Sequence, residues 1–264
     1  MSELNFVTIG DGTVIAYRFD GDVGKPVLVL SNSIATTLRM WDGQIDELSK
    51  HFRVLRYDFR GHGGSSTPAG AYSLARLGRD VIEMLDALGI ERAHFLGLSL
   101  GGMVGQWLGV CAPERINRLI LANTSSNLSP ASYIDERIVA TLRAPDMAEN
   151  AEAFLANWFP ADMVAANGPV IEEFRAMLLG IDRQGLAGLF AAVRDFDFRR
   201  IVTLVSPPTL VIAGRYDTVT ALSHSEHIAA SIQGAKLVVL PAVHLSNVEY
   251  PSEFIANVLD FLRQ

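Results

Sequence analysis

Five short apolar runs recur along the chain, and they constrain its fold more than any other feature. Each has four to six residues, and most of these residues are valine, isoleucine or leucine. Continuous runs of this kind are typical of strands buried on both faces, as in a parallel sheet. The predicted strands are VLVL at 27–30, HFLG at 94–97, LILA at 119–122, TLVIAG at 209–214 and LVVL at 237–240.

Helical patterns lie between these runs. From residue 73 to residue 88 the apolar side chains fall on one helical stripe, and the charged side chains lie mostly elsewhere. Strands that alternate with helices predict right-handed crossovers and an α/β fold with a mostly parallel, doubly wound sheet. The opening segments LNFVTI and TVIAYRF are separated by Asp11 and Gly12, which predicts an antiparallel hairpin at one edge.

One region interrupts the alternation. Residues 125–200 contain helical patterns and no convincing strand, although strands are predicted on both sides. We therefore expect the 264 residues to form a sheet domain from residues 1–124 and 201–264, with residues 125–200 inserted as a helical cap. A ligand is expected between such a cap and the carboxyl edge of the sheet.

A serine between glycines is the candidate nucleophile. The segment Gly97-Leu98-Ser99-Leu100-Gly101 follows a predicted strand and precedes a predicted helix, which is the context of a nucleophile elbow. So sharp a turn strains the serine backbone and leaves no room for side chains on its neighbours. The backbone N–H of Leu100 is predicted to face the charge that develops on a carbonyl oxygen. The alternative is a structural glycine turn with a spectator serine.

A serine nucleophile needs a base that takes its proton, and the chain has six histidines. We predict His244 as the base, because it follows the last predicted strand and precedes the last predicted helix. His62 is expected to shape its own loop near the site. His224 and His227 have the spacing of a metal pair on a helix, but no third ligand accompanies them, so no metal site is predicted.

An acidic residue should hold the histidine in the correct tautomer. Asp217 lies a few residues after the strand at 209–214, and the chain order Ser99, Asp217, His244 is the order expected of a nucleophile-elbow protein. Asp58 is the main competitor. It precedes the serine, and this order favours a structural role in the loop at 60–64.

A second oxyanion donor is expected in the loop after the strand at 27–30, where the chain reads SNSIATT. Most proteins of this architecture have His-Gly at the position of Ser31-Asn32. Apart from glycine, asparagine is the residue that best tolerates positive φ, so Asn32 is expected to shape this loop, and we also predict it as a substrate-binding residue. The backbone N–H of Ser33 is then the predicted donor.

Composition limits the possible partners and compartments. The formal net charge of −7, without a stripe rich in lysine and arginine, argues against a nucleic-acid partner. No apolar stretch approaches the roughly 18 residues that span a bilayer, and the N-terminus lacks the pattern of a signal peptide. A single cysteine, Cys111, fits a reducing compartment, so we expect a cytoplasmic protein that binds a small molecule. Nothing in the sequence decides whether it forms a homo-oligomer.

With these residues identified, the chain resembles the α/β-hydrolase superfamily and, within it, the 3-oxoadipate enol-lactonases. The resemblance lies in LSNSIATTLRMWDGQI, FRVLRYDFRGHGGSS, LDALGIERAHFLGLSLGGMVGQWLG, LILANTSS and HLSNVEYP. It implies an α/β-hydrolase fold and hydrolysis of a carboxylate-bearing enol-lactone from aromatic-acid catabolism. It also implies a serine mechanism without a cofactor.

The resemblance also implies substrate contacts from the cap. Arg137 in YIDERI resembles the arginine that enol-lactonases have near this point, and it would bind the substrate carboxylate. The alternative is a surface arginine paired with Asp135 or Glu136. Ile134 and Trp158 are further candidate substrate-binding residues. The cap departs from the family at two places. Ile134 replaces a tryptophan, and a tyrosine and paired cysteines are replaced by Leu186, Leu189 and Phe190. A more apolar pocket is therefore expected.

Two other functions remain open from the sequence. A carboxylesterase, or a carbon–carbon bond hydrolase acting on a vinylogous diketone, would use a similar triad. A ligand receptor with this fold would show very few turnovers per molecule. The reaction class is set by the sheet domain and the substrate by the cap, so the cap is where the sequence is least informative.

Overall fold

The computed structural model describes residues 3–264, and its centre is an eight-stranded sheet. The strands are Asn5–Thr8 (β1), Val14–Asp20 (β2), Val27–Ser31 (β3), Arg53–Tyr57 (β4), Ala93–Leu98 (β5), Ile116–Ala122 (β6), Thr209–Gly214 (β7) and Lys236–Leu240 (β8). Their order across the sheet is β1-β2-β4-β3-β5-β6-β7-β8. Strands β3 to β8 are parallel, whereas β2 is antiparallel to both β1 and β4. The mostly parallel sheet and the edge hairpin are as predicted.

The helices follow the strands as crossovers, apart from a group between β6 and β7. They are Asp42–Leu48 (α1), Leu74–Ala87 (α2), Leu100–Cys111 (α3), Ala131–Arg143 (α4), Ala148–Trp158 (α5), Ala161–Ala166 (α6), Pro169–Leu179 (α7), Arg183–Arg194 (α8), Leu222–Ser231 (α9), Ser246–Glu249 (α10) and Pro251–Leu262 (α11). Short 3-10 helices span Leu38–Trp41, Pro113–Arg115 and Val202–Leu204.

Helix α2 shows how the sequence pattern becomes packing. Ser73 is its N-cap, and the Ser73 side chain accepts a hydrogen bond from the backbone N–H of Arg76 at 3.2 Å. Its apolar stripe is buried, and Gly78 lies so close to Trp107 of α3 that a β-carbon would overlap the indole ring. The two helices therefore pack in direct contact beside the central strands.

Helices α4 to α8 form the predicted insertion between β6 and β7. Its two ends meet where Asn127 and Asp197 form an antiparallel bridge, and the N–H of Phe198 donates to the carbonyl of Ser126 at 2.7 Å. The insertion thus leaves and rejoins the sheet at one narrow place. The helices lie inside the predicted cap of residues 125–200, whose exact boundaries remain a prediction.

Within residues 3–264, no single helix is long and apolar enough to cross a membrane. Helices α7 and α8 together reach the length and composition of a span, but the chain bends by 95° between them.

The chain direction in the sheet locates the site. Strand β3 lies between β4 and β5, so the connections after β3 and after β5 leave toward opposite halves of the sheet. A crevice forms at the carboxyl ends of the strands at such a switch point. The loops after β3, β5, β7 and β8 contain Ser33, Ser99, Asp217 and His244 respectively.

Candidate active site

Ser99 occupies a strained turn between β5 and α3. Its backbone has φ 57° and ψ −114°, outside the regions that residues with a β-carbon ordinarily adopt. A β-carbon on Gly97 would overlap the carbonyl of Gly101, and one on Gly101 would overlap the carbonyl of Ser31. The two glycines are therefore required by close backbone contacts, as a nucleophile elbow predicts.

His244 and Asp217 form a buried pair. Nδ1 of His244 lies 2.8 Å from Oδ2 of Asp217, and both side chains are almost completely shielded from solvent. A carboxylate at this distance holds the proton on Nδ1, which leaves Nε2 free to accept one. This is the relation expected of the base and acid of a triad.

Asp217 is held as an anion by five hydrogen-bond donors. Oδ2 accepts from His244, from Nδ2 of Asn123 at 3.1 Å and from Oγ1 of Thr220 at 2.8 Å. Oδ1 accepts from the backbone N–H groups of Val219 at 2.8 Å and Thr220 at 2.9 Å. Burial alone raises the pKa of Asp217, but the His244 charge and these donors outweigh it and lower the pKa below its ordinary value.

Ser99 and His244 line the same cavity. Nε2 of His244 is buried, and no hydrogen-bond partner for it is present among residues 3–264. Ser99 is 6% exposed and His244 is 0% exposed. Because both residues line one cavity and this nitrogen has no other partner there, Nε2 of His244 is suited to accepting the serine proton.

The cavity has a volume of about 350 Å³ and lies between the sheet and the inserted helices. Its floor comes from the loops after β3, β5, β7 and β8, and its walls come mainly from the segment before α4 and from α4, α5 and α8. Most of the wall is apolar or aromatic. The wall residues are Leu128, Ser129, Pro130, Tyr133, Ile134, Arg137, Phe154, Asn157, Trp158, Phe190 and Val193.

Ser33, whose N–H is the predicted second oxyanion donor, is not among the residues that line the cavity, whereas its neighbour Ile34 is. The N–H of Ser33 donates to Sδ of Met40 at 3.2 Å, whereas Ile34 lines the cavity beside Ser99 and Leu100. No hydrogen bond within residues 3–264 occupies the backbone N–H of Ile34 or of Leu100. These two groups are therefore available to a bound oxyanion, and that of Leu100 also lies at the N-terminus of α3.

Asn32 is a structural residue and does not line the cavity, contrary to the prediction. Its Nδ2 donates to the carbonyl of Tyr57 at 2.8 Å, and its Oδ1 accepts from Nε1 of Trp41 at 2.9 Å. The positive φ expected at Asn32 occurs instead at Ala35, where φ is 58°. The side chain thus ties β3 to β4 instead of binding substrate.

His62 supports the unusual conformation of Ala35. Nε2 of His62 accepts the N–H of Ala35 at 3.1 Å, next to the available N–H of Ile34. Burial lowers the pKa of His62 to about 4, so the imidazole is neutral and its lone pair can accept this bond. The expected role of His62 as a loop-shaping residue matches these contacts.

Asp58 has the structural contacts expected of it. Oδ1 accepts the N–H of Leu38 at 2.7 Å, and Oδ2 accepts the N–H of Gly64 at 2.9 Å. Burial raises the pKa of Asp58, opposite to the direction for Asp217. Asp58 joins two loops and has no contact with His244.

Arg137 faces the cavity from α4. Its guanidinium carbon lies 5.7 Å from the ring centres of both Phe154 and Phe190, and one nitrogen donates to Oδ1 of Asn150 at 3.3 Å. No carboxylate within residues 3–264 lies within ion-pair distance of it, and Asp135 pairs with Arg194 instead at 2.9 Å. The alternative of a surface ion pair with a neighbouring acid is therefore not what the structure contains.

The other predicted cap residues, Ile134 and Trp158, also lie in the cavity wall. They are 6% and 1% exposed respectively. The sequence reasoning missed Ile34, Tyr133 and Asn123. No local sequence pattern marks Ile34, whereas Tyr133 could have been found, because it precedes Arg137 by one helical turn.

Residues 3–264 contain no cluster of three or more histidine, cysteine, aspartate or glutamate side chains able to hold a metal ion. His224 and His227 lie on α9 without a third ligand.

The chain is similar in sequence and in structure to known hydrolases. A family model described as alpha/beta hydrolase fold matches residues 26–160. The chain is 37% identical to 3-oxoadipate enol-lactonase 2 of Acinetobacter baylyi over 90% of this chain and 89% of that protein. A hydrolase from Pseudomonas aeruginosa has a crystal structure with a TM-score of 0.98 and 63% identity, covering 98% of each chain. The enol-lactonase from Burkholderia xenovorans has a TM-score of 0.95 and 37% identity, covering 98% of this chain and 100% of that one.

Proposed function

Because the chain belongs to the α/β-hydrolase fold family, we propose that it opens a carboxylate-bearing lactone, 3-oxoadipate enol-lactone, through a serine acyl-enzyme. The observation that carries the proposal is the convergence of Ser99, the His244–Asp217 pair and Arg137 on one cavity. The first three supply acyl-transfer chemistry, and Arg137 supplies a cation for the substrate carboxylate.

In the first half of the reaction, Oγ of Ser99 attacks the lactone carbonyl while Nε2 of His244 takes the hydroxyl proton. The resulting oxyanion accepts hydrogen bonds from the N–H groups of Ile34 and Leu100. Loss of one such donor typically costs about 3–4 kcal/mol of transition-state stabilisation. When the tetrahedral intermediate collapses, the ring C–O bond breaks and His244 protonates the departing enol oxygen, which tautomerises to a ketone.

In the second half, water attacks the acyl-enzyme carbonyl and His244 takes one water proton. The ester bond to Ser99 then breaks, and His244 returns the proton to Oγ. The lowered pKa of Asp217 supports a carboxylate that stays ionised throughout the reaction. This carboxylate stabilises the imidazolium that forms in each half of the reaction. The products are the opened 3-oxo diacid and the regenerated enzyme.

The location of Arg137 favours an anionic substrate over a neutral ester. Its guanidinium lies near the stacked rings of Phe154 and Phe190 and has no acidic partner within residues 3–264. A carboxylate would form the charge-assisted, bidentate contact that the guanidinium lacks. The aromatic walls fit the flat unsaturated ring of an enol-lactone.

The proposal is tested by steady-state hydrolysis of 3-oxoadipate enol-lactone and of a neutral aryl ester. The Arg137→Gln variant should raise KM for the lactone about tenfold or more, because a charge-assisted hydrogen bond is lost. It should change KM for the neutral ester by less than about twofold. Arg194→Gln is the matched control, since Arg194 lies on the same cap but pairs with Asp135 at the surface.

Equal effects of Arg137→Gln on both substrates would contradict the assigned role of Arg137. Ester turnover by the wild-type protein without lactone turnover would keep the serine mechanism and make a carboxylesterase the better assignment.

A further inference from the structure

The carboxyl end of β6 contacts the backbone of Ser99 from two sides. The carbonyl of Ala122 accepts the N–H of Ser99 at 2.9 Å, and Oγ1 of Thr124 donates to the carbonyl of Ser99 at 2.7 Å. The side chain of the residue between them, Asn123, contacts Asp217 and the residue that precedes His244. One tripeptide thus lies against the nucleophile, the acid and the loop of the base.

The amide of Asn123 uses each of its polar atoms. Nδ2 donates to Oδ2 of Asp217 at 3.1 Å and to the carbonyl of Val243, the residue before His244, at 3.1 Å. Oδ1 accepts a hydrogen bond from Oγ of Ser246 at 2.6 Å. The side chain is completely buried, so none of these contacts is replaced by solvent in the folded protein.

The space around this amide leaves little freedom. Asn123 has φ 42°, a left-handed conformation that asparagine tolerates better than most residues. A β-carbon on Gly214, at the end of β7, would overlap the carbonyl of Val243 and lie 2.9 Å from Nδ2 of Asn123. The amide therefore lies against the ends of neighbouring strands in a fixed place.

We propose that Asn123 is a positioning residue that holds Asp217 and the loop of His244 in the relative position required for catalysis. The inference rests on the proposed function, because it concerns the alignment of that triad. Asp217 and His244 lie on separate loops, after β7 and β8, and each loop has its own freedom to move. Asn123 joins the two with one NH₂ group, and misplacement by about 1 Å is enough to cost about a hundredfold in rate.

Two substitutions separate this role from simple packing. Asn123→Asp keeps the size of the side chain, the tolerance of positive φ and the acceptor for Ser246, but it replaces both N–H donors by an oxygen. Asn123→Gly removes the whole amide without straining the backbone. Each should lower kcat about tenfold or more, the effect expected when a hydrogen bond to a charged group is lost, and should change KM by less than about twofold.

Gln44→Ala is the matched control. Gln44 is also a buried amide, and its Nε2 donates to the carbonyl of Asn247 at 2.7 Å, but it contacts neither Asp217 nor Val243. This variant should lower the melting temperature and keep kcat within about twofold of wild type. For each variant, the loss of kcat is compared with the fall in melting temperature. If this ratio is the same for Asn123→Gly and Gln44→Ala, the role of Asn123 is structural and the proposal is wrong.

A measurement without substrate keeps this inference separate from the proposed function. In a proton NMR spectrum, the proton on Nδ1 of a histidine that is hydrogen-bonded to a buried carboxylate gives a far-downfield resonance. The resonance is assigned to His244 if it is absent from the spectrum of His244→Gln. We expect it in the wild-type and Gln44→Ala proteins, and expect it to be shifted or broadened in both Asn123 variants. An unchanged resonance in both would overturn the role of Asn123. Absence of turnover by the wild-type protein would instead overturn the proposed function.

Discussion

Two buried aspartates near the site have opposite protonation tendencies, although their burial is similar. Asp217 has five hydrogen-bond donors around it, one of them the His244 imidazole, and its pKa is lowered. Asp58 has two backbone donors, and burial raises its pKa. The charge available to stabilise an imidazolium therefore comes from Asp217. The chain order of the residues had indicated the same choice.

The buried imidazole of His62 should make stability depend on pH. Burial lowers the pKa of His62 to about 4, against about 6.5 in an unfolded chain. Between these values the unfolded state binds the additional proton, so stability should fall as pH decreases from about 7 to about 4, by up to about 3 kcal/mol. Urea unfolding across this range measures the loss.

His62→Gln isolates this contribution, because an amide oxygen can still accept the N–H of Ala35 and does not titrate. The variant should lose less stability than wild type between pH 7 and pH 4. His94, whose pKa burial also lowers to about 4, contributes equally to both proteins and cancels in the comparison. Identical slopes for the two proteins would show that His62 is not held neutral.

At the scale of elements, the joint of β5 and α3 depends on close contact between backbones. The helix begins directly after Ser99, and Gly101 lies against the end of β3, where a β-carbon would overlap the carbonyl of Ser31. A backbone carbonyl within a sheet cannot move aside as a flexible side chain can. The position of the nucleophile and the packing of α3 on the sheet are therefore coupled.

Gly101→Ala should lower both stability and activity. We expect a loss of about 1–3 kcal/mol in the free energy of unfolding, as for other overpacked sites, and a lower kcat because Ser99 is displaced. Gly105→Ala, one turn later, is the control: its β-carbon would meet only side-chain atoms of Leu121, Leu119 and Phe95. Chemical denaturation and ester hydrolysis measure the two effects. Equal behaviour of both variants would contradict the backbone contact as the cause.

The sequence predicted the buried strands and the longer amphipathic helices, because their patterns are continuous. It did not predict α1, α6 or α10, which are four to seven residues long. The triad follows from strand ends and chain order, but the loop after β3 does not. Its conformation depends on contacts with other segments, including those of Asn32 with Tyr57 and of Ala35 with His62, and no local pattern records them.

At the scale of the whole molecule, the loops of the sheet and the inserted helices enclose one cavity, and we propose that the sheet supplies the reacting groups and the helices the substrate contacts. The two parts touch just after the loop that follows β3. There the N–H of Thr37 donates to Sδ of Met177 at 3.1 Å, and Arg39 pairs with Glu173 at 2.7 Å. Gly61 and Gly185 approach so closely that neither can have a β-carbon. Changes in the cap can therefore alter substrate choice while the chemistry of the sheet is retained.

The central claim is that Ser99 forms the covalent intermediate, and labelling with a fluorophosphonate tests it most directly. Intact-protein mass spectrometry should show one adduct, peptide mapping should place it on Ser99, and hydrolysis of the enol-lactone should fall in proportion to labelling. Ser99→Ala should take up no label and show no turnover. Full turnover by labelled protein, or equal labelling of Ser99→Ala, would contradict the account.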